Sequence, residues 1–297
     1  MRSTTKPCFL MCAPSHFAVT YAINPWMDPK NWARHAPAFA AGARREWEAL
    51  HQALMACGAT IELVPPRPDM PDMVFTANAA VLLDGKALLA RFRHKERQLE
   101  QPAFASGFQA LQARGVIDAV SELPPGLVLE GAGDCIWDQC RNLFWMGHGQ
   151  RSDIAARHAV EEAFGADVAA IELVDPRFYH LDTAMCPLSG GEVIYVPGAF
   201  SSASRDDFEA LVSPDQRIEV LLEDACRLSA NAVCLDHTLL LSGCSDRLRA
   251  QLEERGYRVI EVALASFLRS GGAAFCLTLR LDWQSPQAAS LDDAAAA

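Results

Sequence analysis

DMVFTANAAVLLDGKALLARF, residues 72–92, holds the hairpin of one copy of the unit from which this chain is built. Within it, Asn78 precedes two apolar runs that are separated by Asp84 and Gly85. An Asp-Gly pair between two apolar runs is a strong signal for a β-hairpin with a tight turn. The stretch therefore predicts a short polar side chain at the entrance to a strand-turn-strand unit.

The same arrangement returns further along the chain. It recurs in GAGDCIWDQCRNLFWMGHG (131–149), HLDTAMCPLSGGEVIYVPG (180–198) and SANAVCLDHTLLLSG (229–243). Six short polar residues stand at the start of apolar runs, at intervals of 54, 56, 48, 49 and 45 residues: Asn24, Asn78, Asp134, Asp182, Asn231 and Cys276. Similarity at a nearly fixed period indicates copies of one structural unit. Equivalent positions in such copies would bring these side chains to one point, which is typical of a catalytic layout.

Segments between the hairpins have the apolar spacing of helices, and each is followed by a short strand-like run. Helices are expected at 30–57, 95–113, 152–164, 203–212 and 245–255, and strands after them include 60–64, 168–173 and 257–262. Gly58 is placed to end the first helix, because glycine readily adopts the left-handed conformation found after helix ends.

About five such units, with helices outside and hairpins inside, predict an α/β fold: a five-bladed, pseudo-symmetric α/β propeller. Repeated units share a continuous core, so we expect a single domain over residues 1–284. The N-terminal strand, taken to end at Asn24, and a C-terminal strand that holds Cys276 should complete one blade together. Residues 285–297 are rich in Ala, Asp and Ser and predict a disordered tail. The alternative is an ordinary open α/β sheet.

Composition excludes several function classes. The 297 residues are 51% hydrophobic and 21% charged, which is typical of a globular chain with a large core. The net charge of −11 disfavours nucleic acid or an anionic membrane as a partner and is compatible with a small cationic substrate. No apolar run reaches the length of about 18 residues needed to span a membrane, and residues 1–13 lack the apolar segment of a signal peptide.

The ten cysteines are expected to be thiols in a reducing cytoplasm, because no leader directs the chain to an oxidising compartment. Cys8, Cys12 and His16 follow one another at a spacing that suits a helix, but their segment has the pattern of a strand. The chain contains no Cys-x-x-Cys pair and no second pair of zinc-type ligands. We therefore predict no metal site.

Cys276 lies in SGGAAFCLTLRL, after Gly271 and Gly272. Two glycines permit a close approach of backbone to neighbouring groups, and a strand starting at Cys276 would back the thiol rigidly. Cys276 is therefore a candidate nucleophile. Most cysteines beside Phe and Leu are small buried apolar residues, and that alternative stays open here. Cys244, in LLLSGCSD, is the main local competitor.

His180 and Asp182 lie in FYHLDTAMCPL. If this segment is a strand, both side chains lie on one face, because alternation has a period of two residues. A neighbouring carboxylate orients an imidazole and favours its charged form. The pair indicates an acid/base site, although a single histidine hydrogen-bonded in a core is the plainer explanation.

Three further polar residues lie among apolar neighbours. Glu130 and Asp134 flank Gly-Ala-Gly in VLEGAGDCIWD, and carboxylates in such settings are costly to bury without partners. Glu130 is the better functional candidate, whereas Asp134 is equally well explained as the cap of a turn. Asn78 needs hydrogen-bond partners if it is buried, and backbone or ligand would serve.

PDMVFTANAA, LEGAGD, FYHLDT and GGAAFCLTLRL occur in this order, and together they resemble the guanidine-modifying (pentein) superfamily. That superfamily includes arginine deiminases, dimethylarginine dimethylaminohydrolases, amidinotransferases and arginine dihydrolases. The resemblance extends over residues 8–282. It implies a five-bladed propeller with the active site in its central channel, and a reaction that needs no cofactor.

The resemblance also implies roles for individual residues. Cys276 corresponds to the nucleophile, His180 to the general acid/base, Glu130 to the carboxylate that partners this histidine and the guanidinium, and Asp182 to a clamp on the guanidinium. Residues implied to bind other parts of the substrate are Arg97 and Arg151, at its α-carboxylate, and Asn24, which matches a contact of the dihydrolases. Asp134 and Asn78 complete the set of candidate substrate-binding residues.

One departure from the pattern concerns Asn78. Deiminases and dimethylaminohydrolases carry an aspartate at this position, whereas the FTAN string resembles arginine and succinylarginine dihydrolases, which release two ammonias. An ionised aspartate only accepts hydrogen bonds, but an asparagine also donates them. An asparagine is therefore suited to hold first a guanidinium and then a neutral ureido intermediate.

We therefore expect a cytoplasmic hydrolase that cleaves C–N bonds in the guanidino group of arginine or a close derivative through a covalent cysteine adduct. A dihydrolase would form ornithine, ammonia and carbon dioxide. The alternatives are a one-step deiminase or dimethylargininase, an amidinotransferase, and a non-catalytic protein that binds guanidino compounds. Oligomeric state and the role of Asn231 are left open by the sequence.

Overall fold

The computed structural model describes residues 6–288. In chain order its strands are β1 (Cys8–Cys12), β2 (Thr60–Val64), β3 (Ala80–Leu83), β4 (Lys86–Leu89), β5 (Ala119–Glu122), β6 (Cys135–Asp138), β7 (Leu143–His148), β8 (Asp167–Glu172), β9 (Met185–Pro187), β10 (Val193–Tyr195), β11 (Arg217–Glu219), β12 (Val233–Leu235), β13 (Thr238–Leu241), β14 (Arg258–Glu261) and β15 (Leu279–Arg280). Its α-helices are α1 (Pro29–Ala56), α2 (Lys95–Gln98), α3 (Glu100–Ala113), α4 (Ala156–Phe164), α5 (Ser202–Leu211), α6 (Leu222–Ala225), α7 (Asp246–Glu254) and α8 (Ala265–Leu268).

These strands form five three-stranded sheets of mixed direction, with the orders β15-β1-β2, β3-β4-β5, β6-β7-β8, β9-β10-β11 and β12-β13-β14. In every sheet the first strand named is antiparallel to the middle one, and the middle strand is parallel to the last. A parallel pair needs a crossover, and α1, α3, α4, α5 and α7 supply the five crossovers. The predicted repeat of hairpin, helix and strand is thus confirmed as an α/β fold of five equivalent sheets.

Tight turns fix the hairpins where the sequence predicted them. Asp84 and Gly85 have φ values of 52° and 68°, so both adopt the left-handed conformation that a type I′ turn requires. Asp236 has a φ of 49° in the equivalent turn between β12 and β13. The register pairs Leu83 with Lys86, which leaves only the two turn residues between the strands.

Helix α1 follows from local sequence signals. The side chain of Asp28 caps its start by accepting a hydrogen bond from Asn31 N, and Pro29 occupies the first turn. Gly58, with φ of 90°, follows its end as predicted. One face of the helix buries Trp32 and Trp47 together with Leu50 and Leu54. The helix therefore packs by an apolar stripe against the core.

The first sheet joins the two ends of the described chain. Strand β15 pairs antiparallel with β1, and Phe9 lies opposite Arg280. The prediction that an N-terminal and a C-terminal strand share one unit is confirmed. Its boundaries were wrong: β1 ends at Cys12, because Pro14 lacks an N–H group and its carbonyl starts a turn by accepting from Phe17 N.

Short polar turns precede the first strand of each sheet. Four are single turns at Thr76–Ala79, Gly131–Gly133, Leu181–Thr183 and residues 274–277, and the fifth surrounds Asn231. The predicted polar residues therefore do lie at equivalent positions in the five units, with the exception of Asn24. That residue lies in the irregular segment between β1 and α1.

The apolar core lies between the sheets and their crossover helices. Phe208 of α5 packs against Trp145 and Tyr195, with ring centroids 5.6 Å and 4.6 Å away. Phe104 and Phe108 of α3 are fully buried in a second cluster near β3 and β4. Helix α5 thus packs against its own sheet through Tyr195 and against the preceding sheet through Trp145.

The predicted boundary at residue 284 stays a prediction. Ser285 is held to the hairpin after β3, because its backbone N–H and its hydroxyl donate to the two carboxylate oxygens of Asp84 at 2.7 and 2.8 Å. The rest of the predicted tail, from residue 289 onward, lies outside the described residues. Within residues 6–288, no helix is both long and apolar enough to cross a membrane.

Candidate active site

Cys276 lies at the centre of a buried polar cluster. The residue is 2% exposed and belongs to the turn before β15 rather than to the strand itself, so the prediction that it begins a strand was wrong. Leu277 N bonds to Ala273 O and thereby closes a turn, which delays the start of the strand. The thiol donates to Asp182 Oδ2 at 2.9 Å.

The two glycines before Cys276 permit the close packing that the sequence predicted. A Cβ atom on Gly271 would lie 2.8 Å from the Trp26 ring and 2.9 Å from the Tyr179 ring, and Gly271 has a φ of 83°. A Cβ atom on Gly272 would lie 2.5 Å from the ring of Phe75. The aromatic rings therefore pack directly against the backbone of Gly271 and Gly272, in the loop before Cys276.

Asp182 lies beside the thiol and is fully buried, in the turn Leu181–Thr183. Burial raises the pKa of its carboxyl group to about 7, although hydrogen bonds from Cys276 and Asn231 oppose the shift. Its Oδ1 atom has no hydrogen-bond partner among the described residues. A buried carboxylate oxygen without a donor is costly, and it is suited to a ligand that brings N–H groups.

Burial also raises the pKa of the Cys276 thiol well above its ordinary value, and the neighbouring Asp182 carboxylate raises it further. The protein without ligand therefore holds a neutral thiol that donates to a carboxylate. A thiolate would need added positive charge in this pocket, because the thiol pKa falls next to a cation.

His180 approaches the site from the same segment as Asp182, but not in the way the sequence suggested. The residue is extended, whereas Asp182 follows in a 3₁₀ turn, so the prediction of two side chains on one face of a strand was wrong. The reason is local, because Thr183 donates from both its backbone N–H and its hydroxyl to His180 O and closes a turn. The turn sends the two side chains to different partners.

The imidazole of His180 bridges Glu130 and Asn78. Its Nε2 lies 2.8 Å from Glu130 Oε2, and its Nδ1 lies 3.4 Å from Asn78 Nδ2. A carboxylate accepts and an amide nitrogen donates, so these partners favour the neutral tautomer with hydrogen on Nε2 and a lone pair on Nδ1. Nδ1 is then available to take up a proton.

Glu130 is hydrogen-bonded at both of its carboxylate oxygens. Its Oε2 accepts from His180 and from Arg151 Nη1 at 3.0 Å, and its Oε1 accepts from the backbone N–H of Arg93 at 3.0 Å. Burial alone would raise the pKa of this carboxyl, but Arg151, His180 and Arg97 together lower it below its ordinary value. Glu130 is therefore a permanent carboxylate that holds the imidazole in place.

Arg151 connects this carboxylate to the segment that covers the site. It is 2% exposed, donates through Nη2 to Ile23 O at 3.0 Å and stacks on the Tyr179 ring at 4.6 Å. Arg93, which the sequence did not single out, donates through Nε to Arg151 O at 2.7 Å. Arg151 thus places positive charge beside Glu130, whereas the guanidinium of Arg93 pairs with Asp153.

Asn78 has one defined orientation. Its Oδ1 accepts from Arg97 Nη1 at 2.7 Å, which leaves the Nδ2 group toward His180. Arg97 is 3% exposed and donates its remaining N–H groups to the Glu100 carboxylate and to Asp72 O. Every guanidinium nitrogen of Arg97 has a protein acceptor here, so Arg97 orients Asn78 in this structure.

Asp134 holds two neighbouring segments of the site, at Leu181 and at Ser152. Its Oδ1 accepts from Leu181 N at 3.0 Å and its Oδ2 from the Ser152 hydroxyl at 2.6 Å, and Ser152 in turn accepts from Glu130 N. Burial raises the pKa of Asp134 to about 6. Both oxygens are occupied, so the geometry favours the turn-holding alternative over a direct substrate contact.

Asn24 lies at the edge of the cluster. Its Nδ2 donates to Ser270 O at 3.0 Å, and its Oδ1 accepts from Trp26 N at 2.9 Å. Trp26 Nε1 donates to Arg177 O at 2.7 Å. Asn24 therefore fastens the segment before α1 over the loop that leads to Cys276, and a substrate contact for it stays a prediction.

The structure thus assembles two groups of candidates. Cys276 and Asp182 form one, and His180, Glu130, Asn78, Arg97 and Arg151 form the other. Sequence reasoning assigned no role to Asn231, Arg93, Ser152 or Glu100, although Glu100 follows Arg97 at the spacing of a helical ion pair and offered a usable signal.

Within the described residues, no group of three or more His, Cys, Asp or Glu side chains is arranged to hold a metal ion.

Comparisons with known proteins identify the family to which this chain is similar. The family model described as N,N dimethylarginine dimethylhydrolase, eukaryotic, matches residues 14–282. The bifunctional arginine dihydrolase/ornithine cyclodeaminase AgrE of Nostoc sp. is 40% identical over 278 residues, which are 94% of this chain but 38% of the relative. The N(G),N(G)-dimethylarginine dimethylaminohydrolase of Mycobacterium tuberculosis is 37% identical over 92% of this chain and 85% of its own length.

Solved structures give the same result at the level of the fold. The N-terminal domain of ArgZ, a cyanobacterial arginine dihydrolase solved with bound substrate, matches with a TM-score of 0.86 and 38% identity over 94% of this chain and 99% of that domain. The same domain has been solved covalently bound to a reaction intermediate. This chain spans less than half the length of the full bifunctional relatives.

Proposed function

We propose that this chain, which belongs to the N,N-dimethylarginine dimethylhydrolase family, is a hydrolase that removes both terminal nitrogens from the guanidino group of arginine. The products would be ornithine, two ammonias and carbon dioxide. One observation carries the assignment to a cationic substrate: the unpartnered, fully buried Asp182 Oδ1 beside the Cys276 thiol.

A guanidinium fits this place by charge and by shape. It is a planar cation with several N–H donors, and it pairs with carboxylates through two parallel hydrogen bonds. Asp182 Oδ1 would receive one donor, and the anionic Glu130 lies on the histidine side of the site. Asp182 would thus hydrogen-bond the guanidinium, and the negative charge of Glu130, whose oxygens already accept from His180, Arg151 and Arg93, would attract it from the histidine side.

The first step is attack by sulfur on the central guanidino carbon. A bound cation favours the thiolate, which forms the C–S bond and a tetrahedral adduct. The C–N bond to a terminal nitrogen then breaks, and that nitrogen leaves as ammonia with a proton delivered by His180. The thiol proton, taken up at His180 Nδ1, balances this transfer and leaves a covalent thiouronium.

The second step is hydrolysis of the adduct. His180 removes a proton from water, and the hydroxide adds to the same carbon. The C–S bond then breaks, and the hydroxyl proton passes to the departing sulfur, which gives the thiol and the ureido product, while the proton on His180 passes to the released ammonia. Glu130 holds the imidazole in one orientation throughout through its 2.8 Å contact with Nε2. One round therefore converts the guanidino group into a ureido group.

Asn78 supports a second round on the bound ureido compound. Its Nδ2–H group faces the reaction side because Arg97 fixes Oδ1. An amide donor stabilises a neutral ureido oxygen, which an aspartate would repel. Attack by sulfur, loss of the second ammonia and hydrolysis would give a carbamate, which decomposes to the amine and carbon dioxide.

The α-carboxylate of the substrate requires a positive partner, and Arg151 is the better candidate on this geometry. It holds Glu130 with one nitrogen and a backbone carbonyl with another, near the segment that covers the site. The implied role of Arg97 at the carboxylate would require it to release Glu100, Asn78 or Asp72 O. We propose that Arg97 acts mainly through Asn78.

We further propose that the five sheets are the blades of a single-domain, closed propeller of the pentein type. Hydrogen bonds between successive turns support the closure: Ala77 N to Cys276 O, Leu181 N to Asp134 Oδ1, and Asn231 Nδ2 to Asp182 O. The turns Thr76–Ala79 and Gly131–Gly133 meet by close packing, because a Cβ atom on Gly131 would lie 2.6 Å from the Asn78 backbone. A cytoplasmic location and the absence of nucleic-acid and membrane partners stay predictions.

One alternative rests on a specific observation. The matching family model and the Mycobacterium tuberculosis relative are named for dimethylarginine, which loses dimethylamine in one step. A dimethylargininase would stop at citrulline, and so would a deiminase acting on arginine. An amidinotransferase would release no ammonia without an acceptor amine.

Product analysis separates these activities. Purified protein would be given arginine, N(G),N(G)-dimethylarginine and citrulline in separate reactions, and mass spectrometry would identify the products. We expect ornithine from arginine. Citrulline as the only product, or turnover of dimethylarginine alone, would overturn the dihydrolase assignment, and no turnover of any guanidino compound would overturn the hydrolase assignment.

A further inference from the structure

Asn231 occupies the equivalent position in the turn before β12, on the only sheet that contributes no residue to the mechanism above. It is completely buried, although its side chain is polar. A buried amide needs partners for two donors and for its acceptor. All of these partners belong to the turns that carry Cys276 and Asp182.

The acceptor side of this amide holds the loop of the nucleophile. Asn231 Oδ1 accepts from Ala273 N at 3.1 Å and from Cys276 N at 3.2 Å. Rotation of the amide by half a turn would set its NH₂ group against these two backbone donors. The orientation of the amide is therefore determined by its surroundings.

The donor side is consequently directed at the sulfur. Asn231 Nδ2 lies 3.1 Å from Cys276 Sγ and 3.0 Å from Asp182 O, so each of its two hydrogens has an acceptor. Both amide atoms thus fix the position of the thiol, one through its backbone and one directly.

The contact between Asn231 Nδ2 and Cys276 Sγ affects the charge state of the sulfur. Burial and Asp182 both disfavour a negative sulfur, whereas the Asn231 N–H opposes them. A hydrogen bond to an ionised acceptor is roughly twice as strong as one to a neutral acceptor. The contact therefore strengthens at the moment when the thiol loses its proton.

We propose that Asn231 is a positioning residue of the nucleophile, which fixes the 273–276 loop and stabilises the sulfur of Cys276 as a thiolate. The inference rests on the proposed function only in taking Cys276 as the nucleophile. The identity of the guanidino substrate does not enter it.

The test is the pH dependence of alkylation of Cys276 by iodoacetamide, followed on the peptide that contains Cys276 by mass spectrometry. In Asn231→Asp, one oxygen still accepts from the two backbone N–H groups, but the other places negative charge against the sulfur. We expect the apparent thiol pKa to rise by about one unit or more, since that corresponds to loss of one favourable contact with the charged form. We expect kcat to fall about 10²-fold with KM changed less than about threefold, as for loss of a single oxyanion donor.

Ser229→Ala is the matched control. Ser229 is buried in the same turn, and its hydroxyl lies within hydrogen-bond distance of Gly243 O and Asp224 O rather than of the site. This variant should leave the alkylation profile of Cys276 unchanged. Circular dichroism would verify folding of each variant, and Asn231→Ser, which removes the amide donor without adding charge, would replace Asn231→Asp if that protein does not fold.

An alkylation profile of the Asn231 variant equal to that of wild type would overturn the inference, even if turnover falls, because a merely structural role does not move the thiol pKa. The measurement needs no substrate. A shifted profile in a protein that does not act on arginine would therefore sustain the role of Asn231 while contradicting the proposed function.

Discussion

The two sides of the site differ in how completely they are paired. On the histidine side, Glu130 accepts from three groups, its pKa is lowered, and the imidazole is held at 2.8 Å. On the sulfur side, the pKa values of Cys276 and Asp182 are both raised, and Asp182 Oδ1 has no partner among the described residues. The hydrogen bonds of the histidine side are formed in the protein without substrate, whereas Asp182 Oδ1 on the sulfur side is suited to accept a hydrogen bond from a bound cation.

The difference indicates where substrate recognition is coupled to reactivity. A thiolate that existed at all times would react with oxidants and other electrophiles, since the thiolate is the reactive form. A neutral thiol that is activated by a bound guanidinium reacts only when the correct charge is present. The histidine side needs no such control, because its charges compensate each other.

Removal of the nucleophile should have the largest effect. Cys276→Ser is expected to lower kcat by about 10⁴-fold or more, as in other enzymes that form covalent adducts. Cys244→Ser is the matched control, because Cys244 is buried near Glu261 at a distance from the cluster, and it should retain wild-type turnover. Normal turnover in Cys276→Ser would assign the chemistry elsewhere.

Removal of the charge of Asp182 should have the next largest effect, and it should act in opposite directions on two properties. In Asp182→Asn, kcat/KM for arginine should fall about 10²–10³-fold through loss of a preorganised electrostatic contact. The pKa of the Cys276 thiol should fall, because Asp182 raises it. Steady-state kinetics and iodoacetamide alkylation measure the two changes. If Asp182→Asn lost turnover of arginine and its Cys276 thiol also reacted less readily with iodoacetamide, the account of the sulfur side would be contradicted.

Asp134 should show a smaller effect, on stability. Its pKa is about 6 in the folded protein and near 3.8 when unfolded, so its contribution to stability is complete below the unfolded value and is lost as pH rises through about 6. Asp134→Asn removes this loss. The variant should therefore melt a few degrees above wild type at pH 8, by about 2–4 °C per kcal/mol, and close to wild type at pH 4. Thermal melts with parallel pH profiles would show that burial of Asp134 does not destabilise the folded protein.

Local signals explain why much of the fold was predictable. Asp84-Gly85 fixed one hairpin, and the apolar spacing over residues 30–57, followed by Gly58, placed α1 within one residue of its observed ends, Pro29–Ala56. Strand β2 was predicted with its observed ends, Thr60–Val64. Turns and helix ends depend on residues close in sequence, so their chemistry is visible without the tertiary structure.

The prediction failed where short polar turns interrupt strands. His180 and Asp182 were taken as strand neighbours, but a 3₁₀ turn closed by Thr183 separates them. Asn24 matched the period, yet it lies outside the five equivalent turns, because the first sheet takes its turn from the C-terminal end of the chain. The intervals between polar residues do not show that the turn of the first sheet comes from the C-terminal end of the chain.

Pairings between distant residues also escaped the sequence. Asn231 approaches Cys276 only after the sheets assemble, and nothing near residue 231 announces a sulfur ligand. The same holds for Arg93, whose contact with Glu130 uses its backbone N–H and is therefore independent of side-chain type. A role for Asn78 could be predicted because, in the family that the sequence resembles, deiminases and dimethylaminohydrolases carry an aspartate at this position.

The number of ammonias released per arginine consumed tests the central claim most directly, in wild type and in Asn78→Asp side by side. Wild type should release two ammonias and form ornithine. In Asn78→Asp, the new carboxylate pairs with Arg97 and presents no donor to a ureido oxygen. That variant should release one ammonia and form citrulline. One ammonia from wild type, or two from both proteins, would contradict the account.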